Sequence, residues 1–323
     1  MTRTICGVDI SSQSLDARIG QQGAFAQFPN TTEGIAALRA FCHAHQVELV
    51  AMEATGGYEQ LAFAQLSGQD LPVAILNPRS VRQFAQSMGW LEKTDRIDAA
   101  MIAWYAEVKK SPPACLAPQS QQHLRALVTR LRQLTGIRTS QLNQQRLVTD
   151  RAVQASFKKL LAVLARQIGQ IEQRIAALLE QDPLWRELNL AFRTIKGVAD
   201  RTVARIMAEM PEIGVLSNKT ISKLAGVAPL ANDSGQHQGK RAVRGGRASV
   251  REILFIVASV VGRYEPDFIA FQQRLSAAGK PRKVIRIALA HKLLVRLNAK
   301  AREVRQRLAD LQPDSMALSE GSL

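Results

Sequence analysis

The sequence predicts a mixed α/β domain, then a long helical segment, then a mainly helical and strongly basic C-terminal part. Three observations carry that expectation. Short apolar runs bounded by turn residues fill the first 77 positions and alternate there with helical patterns. A proline-containing stretch, SPPACLAP at 111–118, interrupts the alternation as a linker would. Beyond it the apolar residues recur at helical spacing.

The runs TICGVDI, SLDARIG and AFAQF read as three strands separated by turns. TTEGIAALRAFCHAHQ reads as a helix with a threonine cap and Glu33 in its first turn. ELVAMEA is a fourth strand, YEQLAFAQLSG a helix and PVAILN a fifth strand, with further helices near 79–88 and 95–109. This order suits a mixed sheet. Residues 121–182 read as one proline-free helical region. Within it Leu161, Leu164, Ile168, Ile171, Ile175 and Leu178 recur at alternating steps of three and four, which fits a short coiled-coil seam or a helical hairpin packing on its own domain. IKGVADRTVARIMAEM at 195–210 has the pattern of a helix-hairpin-helix, whose turn around Lys196 and Gly197 could offer backbone N–H groups to phosphate, or of a plain packing unit. A polar, glycine-rich, basic loop at 232–249 precedes two more helical stretches. The expected domains are therefore 1–118, 119–185 and 186–323.

The chain of 323 residues carries 43 Lys and Arg against 27 Asp and Glu, a net charge of +16. Residues 1–120 hold 9 basic and 11 acidic side chains, whereas 186–323 hold 24 and 12. A polyanionic partner, nucleic acid above all, is implied for the later parts. Aromatic residues make up only 5%, which argues against base stacking as the main mode of binding. The three cysteines form no CxxC pair, so neither a zinc site nor a disulfide framework is indicated. The longest apolar stretch, ILFIVASVV, is too short for a bilayer, and no membrane partner is expected. The cytoplasm is the expected location.

Against that basic background four acids stand out. Asp9 lies inside an apolar strand, where an uncompensated charge is costly. Glu53 ends the fourth strand, and Asp95 and Asp98 fall on one face of the helix that follows the fifth. If the first and fourth strands are neighbours, all four can converge. Two Mg²⁺ or Mn²⁺ ions would then suit them, and would suit phosphodiester chemistry. Simpler roles compete: Asp95 and Asp98 as complements of a helix dipole, Glu53 as a cap of the next helix. A sugar-kinase or actin-like nucleotide fold also starts with a strand ending in Asp, but its second phosphate loop and adenosine loop have no counterpart here.

GVDIS, MEATGGY and KTDRIDA, in this order, resemble the DEDD transposases of insertion sequences related to the Piv DNA invertases. IKGVADRTVARIMAEM, LAGVAPLANDSG and KRAVRGGRASVREIL are similar to the C-terminal transposase domain of the same family. The resemblance implies a ribonuclease H-like (RuvC-like) first domain with Asp9, Glu53, Asp95 and Asp98 as the metal ligands, and Ser234 as a catalytic serine. It further implies guidance by a bridge RNA that pairs with donor and target DNA. Cleavage would pass through a phosphoserine, in a dimer of dimers whose sites combine the carboxylates of one subunit with the serine of another. From the residues alone, Ser-Gly in a polar loop is an ordinary turn. Lys240, Arg241, Arg244 and Arg247, set among glycines beside that serine, are candidates for phosphate contacts, though a charge run can also be only a solvated face. Three other readings stay open: an invertase that needs no guide RNA, a junction-resolving nuclease that needs no serine, and a non-catalytic nucleic-acid-binding module.

Overall fold

In a computed structural model the described residues are 3–68, 71–90, 95–231, 233–234, 237–239 and 241–311, with the side chains at 95–97 and 237–238 excepted. The chain divides into two compact units, Met1–Ala117 and Pro118–Leu323. No helix among the described residues is long and apolar enough to cross a membrane.

The first unit is built on a five-stranded sheet. Its elements follow the apolar runs closely: β1 (Ile5–Ile10), β2 (Ser14–Ile19), β3 (Phe25–Pro29), α1 (Thr32–Ala44), β4 (Leu49–Glu53), α2 (Glu59–Ser67), β5 (Val73–Leu76), α3 (Pro78–Ser87) and α4 (Asp95–Lys109). The strand order is β3-β2-β1-β4-β5. β2 runs antiparallel to both neighbours, and β1, β4 and β5 are parallel. The helix α1 starts on the cap expected, Thr31 accepting from the Gly34 N–H.

Alternation along β1 sends Cys6, Val8 and Ile10 to one face, into a core with Ile35, Leu38 and Leu66 of α1 and α2. Ile5 goes to the other face, with Leu49, Ala51, Ala74 and the α4 residues Met101, Ile102 and Ala106. Gly7 lies on that second face, where α4 crosses so closely that a Cβ there would stand 2.0 Å from the Ala99 carbonyl oxygen and 2.6 Å from the Ala103 nitrogen. Only hydrogen fits.

The second unit is helical. The helical region expected over 121–182 is a pair of helices, as in the hairpin alternative: α5 (Gln119–Gln145) and α6 (Arg151–Gln181), with Asp150 capping the second by accepting from the Val153 N–H. No proline or glycine marks the break; the aspartate does. Leu164, Ile168 and Ile175 of the apolar seam are buried within their own chain, in a core that continues through Leu124, Leu131, Trp185 and Phe192 to Phe268 and Leu293. The boundary expected at 185/186 therefore does not separate two cores. The apolar stripe of α6 has too little partner surface in α5 alone, and the later helices supply the rest. Those helices are α7 (Pro183–Arg193), α8 (Asp200–Glu209), α9 (Asn218–Leu224), α10 (Ala248–Tyr264), α11 (Pro266–Ala277) and α12 (Arg282–Asp310). The last three stand where two stretches were expected. Pro266 at the start of α11 cannot continue the hydrogen-bond ladder of α10.

Replacing Gly7 by Ala should force α4 off the sheet. We expect a loss of about 1–3 kcal/mol or more, the range for overpacking, seen as a lower urea midpoint for the unfolding of the first unit. An unchanged midpoint would show that α4 does not depend on this approach.

Candidate functional site

The acids of the first unit are brought together by register. β1 and β4 pair in parallel with Gly7 opposite Ala51 and Val8 opposite Met52, so Asp9 and Glu53 follow as the next position at the carboxyl ends of both strands. Alternation puts both on the face covered by α4, since Leu49 and Ala51 pack there. The helix runs opposite to β1. Ile5 borders cavities with Ala103, Ala106 and Glu107, and Gly7 meets Ala99 and Ala103. Two residues of strand cover about 6.6 Å and one helical turn about 5.4 Å. Asp9 is therefore level with the first turn of α4, where the backbone carries Asp95 and Asp98. Asp9, Glu53 and Asp98 are each partly buried. The side chain of Asp95 lies outside the described residues.

Glu53 does not stand at the N-cap of the next helix, a place taken by Tyr58, which makes no side-chain cap bond. Glu59 Oε2 accepts from Thr55 N–H, Thr55 Oγ1 and Gly57 N–H at 3.1, 3.2 and 2.9 Å, closing the turn after β4. Gly56 and Gly57 take φ of +80° and +129° there, which explains the glycine pair in MEATGGY.

The face holds one acid that the sequence reading missed. Asp16 on β2 is paired directly with Asp9 and is only 4% exposed. Its oxygens accept from Gln27 Nε2 at 2.8 Å and Ser14 Oγ at 3.2 Å. In sequence it is one polar position in an alternating strand, which looks solvent-facing. Among the described residues no three His, Cys, Asp or Glu side chains close on a single point as a metal ion would require. In type, the oxygen donors of this face suit a hard divalent cation.

In the second unit the basic loop forms two short hairpins. Pro229–Leu230 pairs with Ala242–Val243, and Asp233–Ser234 pairs with His237–Gln238, so that Ser234 stands opposite His237 in an exposed strand. Arg244 is exposed, and Arg241 reaches Asp233 at 3.9 Å with both groups well solvated. Lys240 lies outside the described residues. Arg247 is placed differently from a phosphate contact. Its guanidinium forms a two-pronged pair with Glu212, 2.6 Å on each arm, and also donates to the Glu209 carbonyl at 2.7 Å. Phosphate could be bound there only by breaking that pair. At the same base Gly226 and Gly246 pass within a distance that excludes any Cβ, and Arg251 donates to the Gly245 carbonyl.

The turn between α7 and α8 is held from below. Lys196 and Gly197 are exposed, and Gly197 has φ of +98° with its backbone against Val260 and Val261. The Lys196 N–H is already donated, at 2.6 Å, to Glu265, a carboxylate 8% exposed that also faces Arg296. Any phosphate contact here would use the other amides and the lysine side chain. Standing just before Pro266, Glu265 reads in sequence as mere helix punctuation.

Two comparisons bear on what these parts do. Residues 6–153 match the transposase family model DEDD_Tnp_IS110, and residues 189–273 match the model described as Transposase IS116/IS110/IS902 family. Both models describe transposases, and the chain is similar to that class over these two stretches. It is also 28% identical, over 314 residues, to a pilin gene-inverting protein of Moraxella bovis and equally to that of Moraxella lacunata, with 91% of this chain and 94% of each relative covered. Together the matches make the chain similar to IS110-type transposases and to the pilin gene-inverting proteins.

The anchor at Arg247 has a pH signature. Burial of Glu212 works against its charge, but the hydrogen bond from Arg247, one from its own backbone and the arginine's charge outweigh it and hold the carboxyl below its ordinary 4.5. The pair therefore contributes fully above that value, and its contribution is lost as pH falls through the lowered one. Arg247→Met should cost about 1–3 kcal/mol at pH 7, as for hydrogen bonds to charged groups. The difference from the parent should shrink in melts taken progressively below pH 4.5. A difference independent of pH would rule out the ion pair as its source.

Proposed function

We propose that this chain is the recombinase of an insertion sequence, cutting and exchanging DNA strands under the guidance of a bridge RNA. The supporting observation is the register that sets Asp9 beside Glu53 on the sheet face crossed by the first turn of α4. In this reading Asp9, Glu53, Asp95 and Asp98 hold Mg²⁺, or Mn²⁺ in its place. The bound ion would neutralise charge developing on the phosphate oxygens. Ser234 is the nucleophile: its Oγ bonds to phosphorus as the sugar oxygen departs, conserving the energy of the broken ester for rejoining. Its exposed position on a short hairpin suits a group that must reach a duplex. Arg244, Arg241 and Lys240 neighbour that serine in sequence and would contact phosphates, with Lys196 and Gly197 offering a second contact. The protein would work as a dimer or tetramer, in the cytoplasm.

A second reading is a DNA invertase that needs no RNA. The similarity to pilin gene-inverting proteins over nearly the whole chain favours it. Digestion of copurifying RNA separates the two: recombination that survives complete digestion rules out guidance.

Asp9→Asn and Glu53→Gln should each reduce strand cleavage at least 10³-fold while nucleic-acid binding persists, as measured on labelled duplexes; retained cleavage would remove the carboxylates from the chemistry. Ser234→Ala should abolish the covalent protein–DNA species on denaturing gels. A simple junction nuclease would keep cutting without that serine. Binding should weaken steeply between 50 and 200 mM salt, by about 10³-fold for some six phosphate contacts.

A further inference from the structure

We infer that the cavity at the carboxyl end of α4, within the first unit, binds a small zwitterion of the amino-acid class. It lies at the far end of β1 from Asp9. Ile5, on its floor, is four residues from that aspartate, about 13 Å along the strand. The cavity has a volume of about 290 Å³, with Ile5, Leu49 and Ala106 as an apolar floor and Arg3, Glu107 and Lys110 as a charged rim. An apolar floor with a few polar groups around it is the usual make-up of a small-molecule site. None of these side chains has a part in the chemistry proposed above.

Three features point to a ligand. The first is Ser111, which lines the cavity and is only 3% exposed. Its Oγ is buried and has no hydrogen-bond partner in the protein. A hydroxyl left so costs free energy that a bound polar group would recover. The second is the backbone of Lys110, with φ of +50°. The Lys110 N–H donates to the Glu107 carbonyl and the Ser111 N–H to the Ala106 carbonyl, both at 3.0 Å. These two bonds close a helix end at which glycine is the least strained residue. A lysine there costs stability, and what it brings is an ammonium group on the rim. The third is that the rim charges are uncommitted. Among the described residues Arg3, Glu107 and Lys110 enter no ion pair. Arg3 donates to the Glu48 carbonyl at 3.3 Å, which leaves other N–H groups of its guanidinium to spend.

The signs of the rim select the ligand. Arg3 and Lys110 suit a carboxylate. Glu107 suits an ammonium group, and it stands in the last turn of α4, where the helix dipole also favours positive charge. A simple anion would meet the charge of Glu107, and a simple cation those of Arg3 and Lys110. A zwitterion with an apolar side chain satisfies the rim and the floor together, and the Ser111 hydroxyl can bond its carboxylate. A neighbouring cavity of about 210 Å³ shares Arg3, Ile5 and Glu107 and gives room for a longer side chain.

The test is calorimetry and thermal melting of the full chain with leucine, valine and phenylalanine. At least one should give saturable heat and raise the melting temperature. The same side chain on a carboxylate without the amine, or on an amine without the carboxylate, should bind about tenfold more weakly, the scale of a lost hydrogen bond to a charged group. Lys110→Gly should melt higher than the parent without ligand, because the strain at φ +50° is relieved, yet bind about tenfold more weakly. Ser111→Ala should melt at or above the parent and also lose affinity. A lysine or serine serving the fold alone would not move affinity and stability in opposite directions. No saturable heat with any of the three amino acids would overturn the site. Unchanged affinity in Lys110→Gly would overturn it too, and that variant decides if Ser111→Ala does not fold. Equal binding of an analogue lacking the amine or the carboxylate would overturn the zwitterion.

Discussion

Everything at the carboxylate face depends on the absence of one side chain. Gly7 lets α4 lie against the central strand at backbone contact distance. Packing at that range leaves the helix no freedom to slide or roll, because the Ala99 carbonyl and Ala103 sit directly on the strand. The first turn of α4 is thereby delivered to the carboxyl end of β1, beside Asp9. Had β1 carried even an alanine there, the acids would sit on two surfaces with a gap between them. The sheet contributes the other constraint. Parallel pairing of β1 with β4 puts Asp9 and Glu53 at matching positions, and antiparallel pairing with β2 adds Asp16 from the far side.

The second unit uses its charges in two ways. Some arginines are part of the architecture. Arg247 ties the base of the serine-bearing hairpins to Glu212 and the Glu209 carbonyl, and Arg296 completes the setting of Glu265 under the Lys196 turn. Arg305 donates to the Ile213 and Pro211 carbonyls, near the point where buried Asn298 receives the Gly214 N–H. Others, such as Arg244, stand in solvent. A basic loop is therefore not uniformly a binding surface. Its two ends serve different purposes, one fastening the loop and the other exposed on it.

Much of the fold was legible because apolar runs and turn residues in the first unit fall where strands and helices begin and end. The neighbouring of β1 and β4 could be posed as a condition from the sequence, and the structure meets it. Asp9 was legible because charge in an apolar strand has few explanations. Asp16 was not. Its strand alternates polar and apolar residues, and nothing local reveals that α4 covers the polar side. Arg247 looked like its neighbours, since its partner lies 35 residues away in sequence. A hairpin over 121–182 was one of two readings, but the place of its break was hidden because it is made by a capping aspartate rather than by proline or glycine. The shared core of 124–304 was hidden because a seam's spacing states that a helix is covered, not by what.

One regularity runs through the ion pairs. Each of those described uses an arginine: 132, 193, 201, 205, 241, 247, 296 and 307. No lysine occurs in those ten pairs. Arg247 uses its planar guanidinium in a two-pronged pair with Glu212, a duty that geometry suits. Lysines make contacts of another kind: Lys292 donates to the Asp267 carbonyl and lies over the Phe268 and Phe271 rings, and Lys109 lies over Tyr105. Acylation, which neutralises amines and spares guanidines, would leave every one of those arginine pairs intact.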